Sequence, residues 1–189
     1  MIKAWVFSCA LLVLPNTAAS GNNDIAFADI PWGSSAATVK AKMLERGFAF
    51  EDMDSAGDLK FTGLVGGEPA TIYALRTSDD RLVKWSIAVR PGDSRTITYY
   101  RELKRALGSL YGTPLADIES WTFPYQNGGH VGHEEDAIRV GKGTLRAGWT
   151  TGGNLPGVVI LVTDRLVVQA QYEGPGWNEE VARRRTQAW

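Results

Sequence analysis

The apolar positions change spacing several times along the 189-residue chain, and each change marks an element. An apolar run from Ala4 to Leu14, interrupted only by Ser8, follows the short basic start Met1-Ile2-Lys3, and Pro15-Asn16 end it. Further on, Ala36, Val39 and Met43 recur at helical spacing, with Leu44 widening the stripe. A helix is predicted there, with Ser34 or Ser35 as N-cap and Gly47 as its stop. The period then drops to two. Leu59 to Thr62 and Ala70 to Arg76 read as strands around a Gly66-Gly67 turn, and Ser78-Asp79-Asp80 is a second turn. Val83, Trp85, Ile87 and Val89 alternate strictly with their neighbours, which predicts a strand with one buried face and a buried Trp85.

A second helix is predicted from Ser94 to Tyr111, with Ile97, Tyr100, Leu103, Leu107 and Leu110 as its apolar stripe and Gly112 and Pro114 ending it. A strand around Ile118 to Phe123 follows, then a polar loop, Gln126 to Asp136, without hydrophobic period. Thr144 to Thr150, Val158 to Thr163 and Leu166 to Tyr172 read as strands, the last two joined by a tight hairpin at Asp164-Arg165. Val158 to Val162 is continuous and apolar, as a central strand is. Residues 177–189, with Arg183-Arg184-Arg185, read as a tail or frayed helix. Runs of strands punctuated by single helices predict an α+β fold: an antiparallel sheet with two main helices on one face. The order also suggests a tandem helix-then-strands duplication.

The first twenty residues form an address. A basic start, an eleven-residue apolar run and the small residues Thr17 to Ser20 make the arrangement of a secretory signal peptide. The run is shorter than the roughly 20 residues that span a bilayer. The expected organisation is a signal peptide over 1–20, a flexible leader over 21–29, one domain over 30–176 and the tail over 177–189. The expected location is periplasmic or secreted, with no transmembrane segment in the mature chain.

Composition narrows the chemistry. With 44% hydrophobic and 22% charged residues, the chain is an ordinary globule. Its net charge of −1 argues against a nucleic-acid partner, which calls for a basic face. The only cysteine, Cys9, lies inside the apolar leader. It leaves with the signal peptide, which removes thiol nucleophiles, disulfides and Cys-ligated zinc from the mature protein.

The segment Ile30 to Gly47 (IPWGSSAATVKAKMLERG) resembles the opening helix of small secreted bacterial proteins of unassigned function. The repeated helix-then-strands order is similar to the β-lactamase-inhibitor-protein-like architecture, shared by small outer-membrane assembly lipoproteins. Those lipoproteins carry a lipidated cysteine after the leader, and this chain has none there. The resemblance implies a non-catalytic interaction domain and transfers no functional residue.

Two segments are candidates for a site. His130, His133 and Glu134, with Glu135 and Asp136 beside them, bring imidazole and carboxylate donors suited to zinc into one loop. The H-x-x-H spacing in a Gly-rich loop lacks the i, i+4 helical face that aims two rings at one ion, so a solvated polar loop is the competing reading. Trp121, Phe123 and Tyr125 alternate beside that loop, as a ligand platform or as core. Other chemistries lack their residues. No G-x-S-x-G elbow exists, and in Gly141-Lys142-Gly143-Thr144 the first glycine of a phosphate loop falls on Asp136. The consecutive acids 134–136 cannot all converge on one glycosidic bond, and another acid would have to come from elsewhere, such as Asp117 or Glu119. The expected function is an exported, soluble, non-enzymatic binding or accessory protein of the bacterial envelope, without cofactor and with a protein or small-molecule partner. The alternative is a metal-dependent hydrolase built on His130, His133 and Glu134.

Overall fold

The computed structural model describes residues 27–92, 94–126, 132–149 and 157–187. In chain order the elements are α1 (Ala36–Glu45), β1 (Ala49–Met53), β2 (Leu59–Val65), β3 (Glu68–Arg76), β4 (Leu82–Val89), α2 (Thr96–Tyr111), β5 (Ala116–Trp121), α3 (Glu134–Arg139), β6 (Gly143–Trp149), β7 (Val158–Val162), β8 (Val168–Glu173) and α4 (Trp177–Gln187). All eight strands join one antiparallel sheet in the order β1-β2-β3-β4-β8-β7-β6-β5. The fold is α+β.

The period-two pattern decides which face is buried. One row of register partners crosses the whole sheet as Phe50, Phe61, Ile72, Ile87, Ala170, Ile160, Ala147 and Asp117. The six from Phe61 to Ala147 are buried. A parallel row runs through Leu59, Ala74, Trp85, Tyr172, Val158 and Trp149, all buried as well. The same apolar cluster takes in Val39 and Met43 of α1 and Ile97, Tyr100, Leu103 and Leu107 of α2.

The opposite positions form the outer face. Its first row is Ala49, Thr62, Thr71, Ala88, Gln169, Leu161, Arg146 and Ile118. Its second is Lys60, Tyr73, Ser86, Gln171, Val159, Gly148 and Ala116. Every residue of both rows keeps some solvent exposure.

Most elements follow the sequence pattern, and the departures have physical causes. Ser35 caps α1, its Oγ accepting from Thr38 N at 3.4 Å, and Gly47 beyond the end has φ 84°. The stripes are narrower than expected. Leu44 and Leu110 are 48% and 46% exposed, each in the last turn of its helix. Strand β1 was not expected, since its sequence AFEDM carries one inward ring, Phe50, and a bulge. Helix α3 occupies the end of what reads as loop. Only Ala137 and Ile138 bury, too few to set a helical period. The Asp164-Arg165 hairpin is not a two-residue turn. Thr163 N donates to Val167 O, and Leu166 takes the left-handed position (φ 54°) that glycine usually fills. The tail is a helix, α4, whose far end is tied to the body through Arg184.

Candidate functional site

The polar loop and the aromatic segment are placed apart in role. His130 lies outside the described residues. His133 stands just before α3, 62% exposed, with Nδ1 3.4 Å from Asp136 Oδ2. Glu134 pairs with Arg101 of α2 at 3.2 Å. Glu135 accepts from the backbone N of Thr96 at 2.9 Å, so it supplies the oxygen that caps α2. Asp136 also pairs with Arg139. Glu134 and Glu135 join α3 to α2, whereas Asp136 pairs within its own segment with His133 and Arg139. Among the described residues no group of three or more His, Cys, Asp or Glu side chains is gathered to hold a metal ion. A cleft of about 710 Å³ lies over this junction, between Arg90, Arg101, Glu134, Glu135, Arg139 and Arg165.

The three alternating rings do not share a strand. Strand β5 ends at Trp121, and Thr122 to Tyr125 form a turn closed by Tyr125 N donating to Thr122 O at 2.9 Å. Trp121 is half-buried and packs on the core, where its ring lies over Gly143. An added Cβ at Gly143 would stand 2.4 Å from Trp121 Cζ3, so the glycine makes room for the ring. Phe123 is 75% exposed and Tyr125 half-buried. Only Phe123 of the trio offers most of its ring to a ligand.

Strand β5 carries two acids on its inward side, opposite the buried Ala147 and Leu145. Asp117 pairs with Lys104 at 3.0 Å, and Glu119 with Arg101. On α2 the Tyr100 hydroxyl is buried and has no hydrogen-bond partner among the described residues. Burial, then the negative charges of Asp117 and Glu119, push the Tyr100 hydroxyl well above the ordinary tyrosine value.

The outer face carries a group of polar side chains on adjoining strands. At its centre lie Thr71, Tyr73, Ser86, Gln169 and Gln171, from three adjacent strands. Lys84 closes one end. Its Nζ donates to Gln171 Oε1 at 2.9 Å and to Glu173 Oε1 at 3.0 Å, and sits 4.4 Å from the centre of the Trp177 ring. Gln171 is thereby held by its carbonyl, which leaves its amide N–H groups for another acceptor. The sequence reading passed over these residues, although Gln169 and Gln171 alternating with Val168, Ala170 and Tyr172 was the available signal.

Beyond Lys84 runs α4. Arg184 grips Asp58 with two guanidinium nitrogens at 2.6 and 2.8 Å, and also donates to Arg76 O at 2.7 Å. Glu180, 3% exposed, accepts from Arg183 Nε at 2.7 Å and from Arg184 Nε at 2.6 Å. The Arg183 bond leads in holding the Glu180 carboxyl below the usual carboxylate range, with Arg184 adding to it against the cost of burial. Arg76 is itself buried. It reaches Asp80 and the Gly57 carbonyl, and Asp80 also accepts from Ala36 N at 2.8 Å at the start of α1. A cleft of about 830 Å³ opens here between Met53, Gly57, Arg76, Asp80, Arg183 and Arg184. Compared with known proteins, the chain matches no family model, no curated protein and no solved structure.

Proposed function

We propose that the chain is an exported, non-enzymatic binding or accessory protein of the bacterial envelope, and that it binds through the outer face of its sheet. The single observation that carries this reading is the size and chemistry of that face. Eight strands at about 4.8 Å spacing make it about 34 Å wide, and β3 from Pro69 to Leu75 gives a length of about 20 Å. The product is at most about 700 Å², since β1, β5, β7 and β8 are only five or six residues long, and it approaches the roughly 800 Å² that each partner contributes to a standard protein–protein interface. That favours a macromolecular partner over a small molecule, which seeks a concave pocket. Uncharged hydroxyls and amides at the centre suit a polar partner with hydrogen-bonding groups of its own.

The fold reading that accompanies this is a tandem one. The strand order reads as β1 to β4 followed by β5 to β8 in reverse, meeting at the β4–β8 pair. Each set of four is preceded by a helix, α1 or α2, whose buried residues enter the same apolar cluster. This order supports two helices on one face and two related halves. Export rests on the leader pattern of residues 1–20, and periplasmic or secreted location follows from it. Among the described residues no helix is long and apolar enough to cross a membrane.

The test is a pair of substitutions on the face, Thr71→Arg and Ser86→Arg, against Arg105→Glu on the surface of α2. Photo-crosslinkers at position 73 and at position 105 are compared in intact cells. Capture of one discrete partner from position 73, lost with either face substitution and kept with Arg105→Glu, is the expected result. Equal capture from both positions, or capture indifferent to Ser86→Arg, overturns the reading. The hydrolase alternative is addressed by metal content: stoichiometric zinc lost on His133→Ala would favour it.

A further inference from the structure

We propose that α4 is a releasable clasp, held by charge rather than by apolar burial, whose opening uncovers Lys84 at the end of the outer face. This rests on the reading of that face as the binding surface, and it adds a means of regulating it. Helices of globular domains usually dock by an apolar stripe. In α4 (WNEEVARRRTQ) only Trp177, Val181 and Ala182 are apolar. What fixes it instead is a chain of charge contacts across the ends of β4, β3 and β2. Trp177 lies on the Lys84 ammonium, Glu180 takes both Arg183 and Arg184, and Arg184 takes Asp58 and Arg76 O. Asp58 is buried and receives Arg76 N at 2.8 Å as well. The charged groups on the elements around α4 are thus Asp58, Arg76, Asp79, Asp80, Arg81 and Lys84, and each has a partner of opposite sign.

Such a contact behaves differently from a core. Apolar docking weakens gradually as area is lost, whereas a buried ion pair is lost as a unit when one partner goes, because the remaining charge is left without its counter-ion. The cleft of about 830 Å³ beside Arg183 and Arg184 gives water and competing ions access to these pairs. The helix covers little that the core needs, since the strands beneath it are closed by their own ladders on both sides. Release of α4 frees the Trp177 ring from Lys84. It leaves Lys84, Gln171 and Glu173 as a charged corner of the outer face, next to Ser86. A partner that presents a carboxylate to Lys84 would compete directly with Trp177 and stabilise the released form.

The experiment is backbone amide exchange on the full chain together with labelling of lysines by an acylating reagent. Wild type is compared with Arg184→Gln, Glu180→Gln and the milder Arg184→Lys. In wild type the α4 amides exchange by a local opening that leaves β4 and β8 protected. In Arg184→Gln the α4 amides exchange about a hundredfold faster while β4 and β8 are unchanged, and Lys84 acylation rises in step. Arg184→Lys falls between and remains readable if the Gln variant does not fold. Exchange of α4 only in concert with β4 and β8 overturns the clasp, and so does a Lys84 that stays unreactive while α4 exchanges freely. Neither readout involves a ligand, so failure of the clasp is distinct from failure of the binding face, which Thr71→Arg and Ser86→Arg test.

Discussion

Two adjacent tyrosines on α2 should respond to the same mutation with opposite signs. Tyr99 is buried and its hydroxyl donates to the carbonyl of Val65 at 3.0 Å. Tyr100 is fully buried and its hydroxyl has no partner among the described residues. Removing the Tyr99 oxygen deletes a hydrogen bond and leaves the Val65 carbonyl short of a donor, a loss of about 1 to 1.5 kcal/mol. Removing the Tyr100 oxygen deletes a polar group already stripped of water, beside the charges of Asp117 and Glu119. Relief of that desolvation should return about 1 kcal/mol, at the low end of the cost of an unsatisfied buried hydroxyl. The ring stays in both cases, so packing is unchanged. In urea unfolding followed by tryptophan emission, Tyr99→Phe should lower the midpoint by about 0.5 M and Tyr100→Phe raise it by a similar amount, with the slope constant. In thermal melts the shifts should be about 3 °C in each direction for a domain of this size. A Tyr100→Phe variant destabilised as much as Tyr99→Phe would show that the hydroxyl has a bound partner, such as a buried water, and would refute the reasoning.

Other predictions follow the same residues. Tyr100, Tyr111 and Tyr172 all have hydroxyls raised above the ordinary value, burial being the first cause at each. Their neutral forms are favoured only in the folded state, so stability should be constant below the unfolded tyrosine value of about 10 and fall above it. Urea midpoints measured from pH 8 to 11.5 check this, and Tyr100→Phe should flatten the fall. The Glu180 carboxyl is lowered by Arg183 and Arg184, so its contribution is present above about pH 4.3 and lost as pH drops through the folded value. Protection of the α4 amides, relative to their intrinsic exchange rate, should therefore fall in acid before that of β4. Gly143→Ala should cost about 1 to 3 kcal/mol and shift tryptophan emission, because the new methyl displaces the Trp121 ring. His133→Ala should leave the melting temperature within about 1 °C, since the ring is 62% exposed, and a larger fall would mark a structural site.

The strands were legible where alternation was long and one-sided, as at Val83 to Val89, or where the run was wholly apolar, as at Val158 to Val162. Val83 to Val89 and Val158 to Val162 could be read directly, because their neighbours on both sides bury the same face. Strand β1 could not, since an edge strand has only one partner and AFEDM buries a single ring in part. Helix α3 hides in an acidic run because its acids serve α2, through Arg101 and Thr96, rather than a period of their own. The aromatic trio misled by spacing alone. Period two implies a shared side only while the chain remains extended, and the Thr122 to Tyr125 turn ends that at Trp121. The outer face was in view as polar letters between apolar ones, yet only the register places Thr71, Ser86 and Gln171 on adjoining strands. The Arg184–Asp58 pair of α4 joins residues 126 positions apart in the chain, a pairing that no local pattern encodes.

The inward acids of β5 bear on how the protein behaves when crowded. An outermost strand offers unpaired amides and carbonyls to any neighbour, and a smooth greasy one would nucleate fibres. Here Asp117 and Glu119 are already spoken for by Lys104 and Arg101, so an incoming strand would have to lie over two fixed ion pairs and set its own side chains against them. The molecule carries its own stop against open-ended stacking, and losing Lys104 or Arg101 should surface first as turbidity in concentrated solution rather than as a lower melting point.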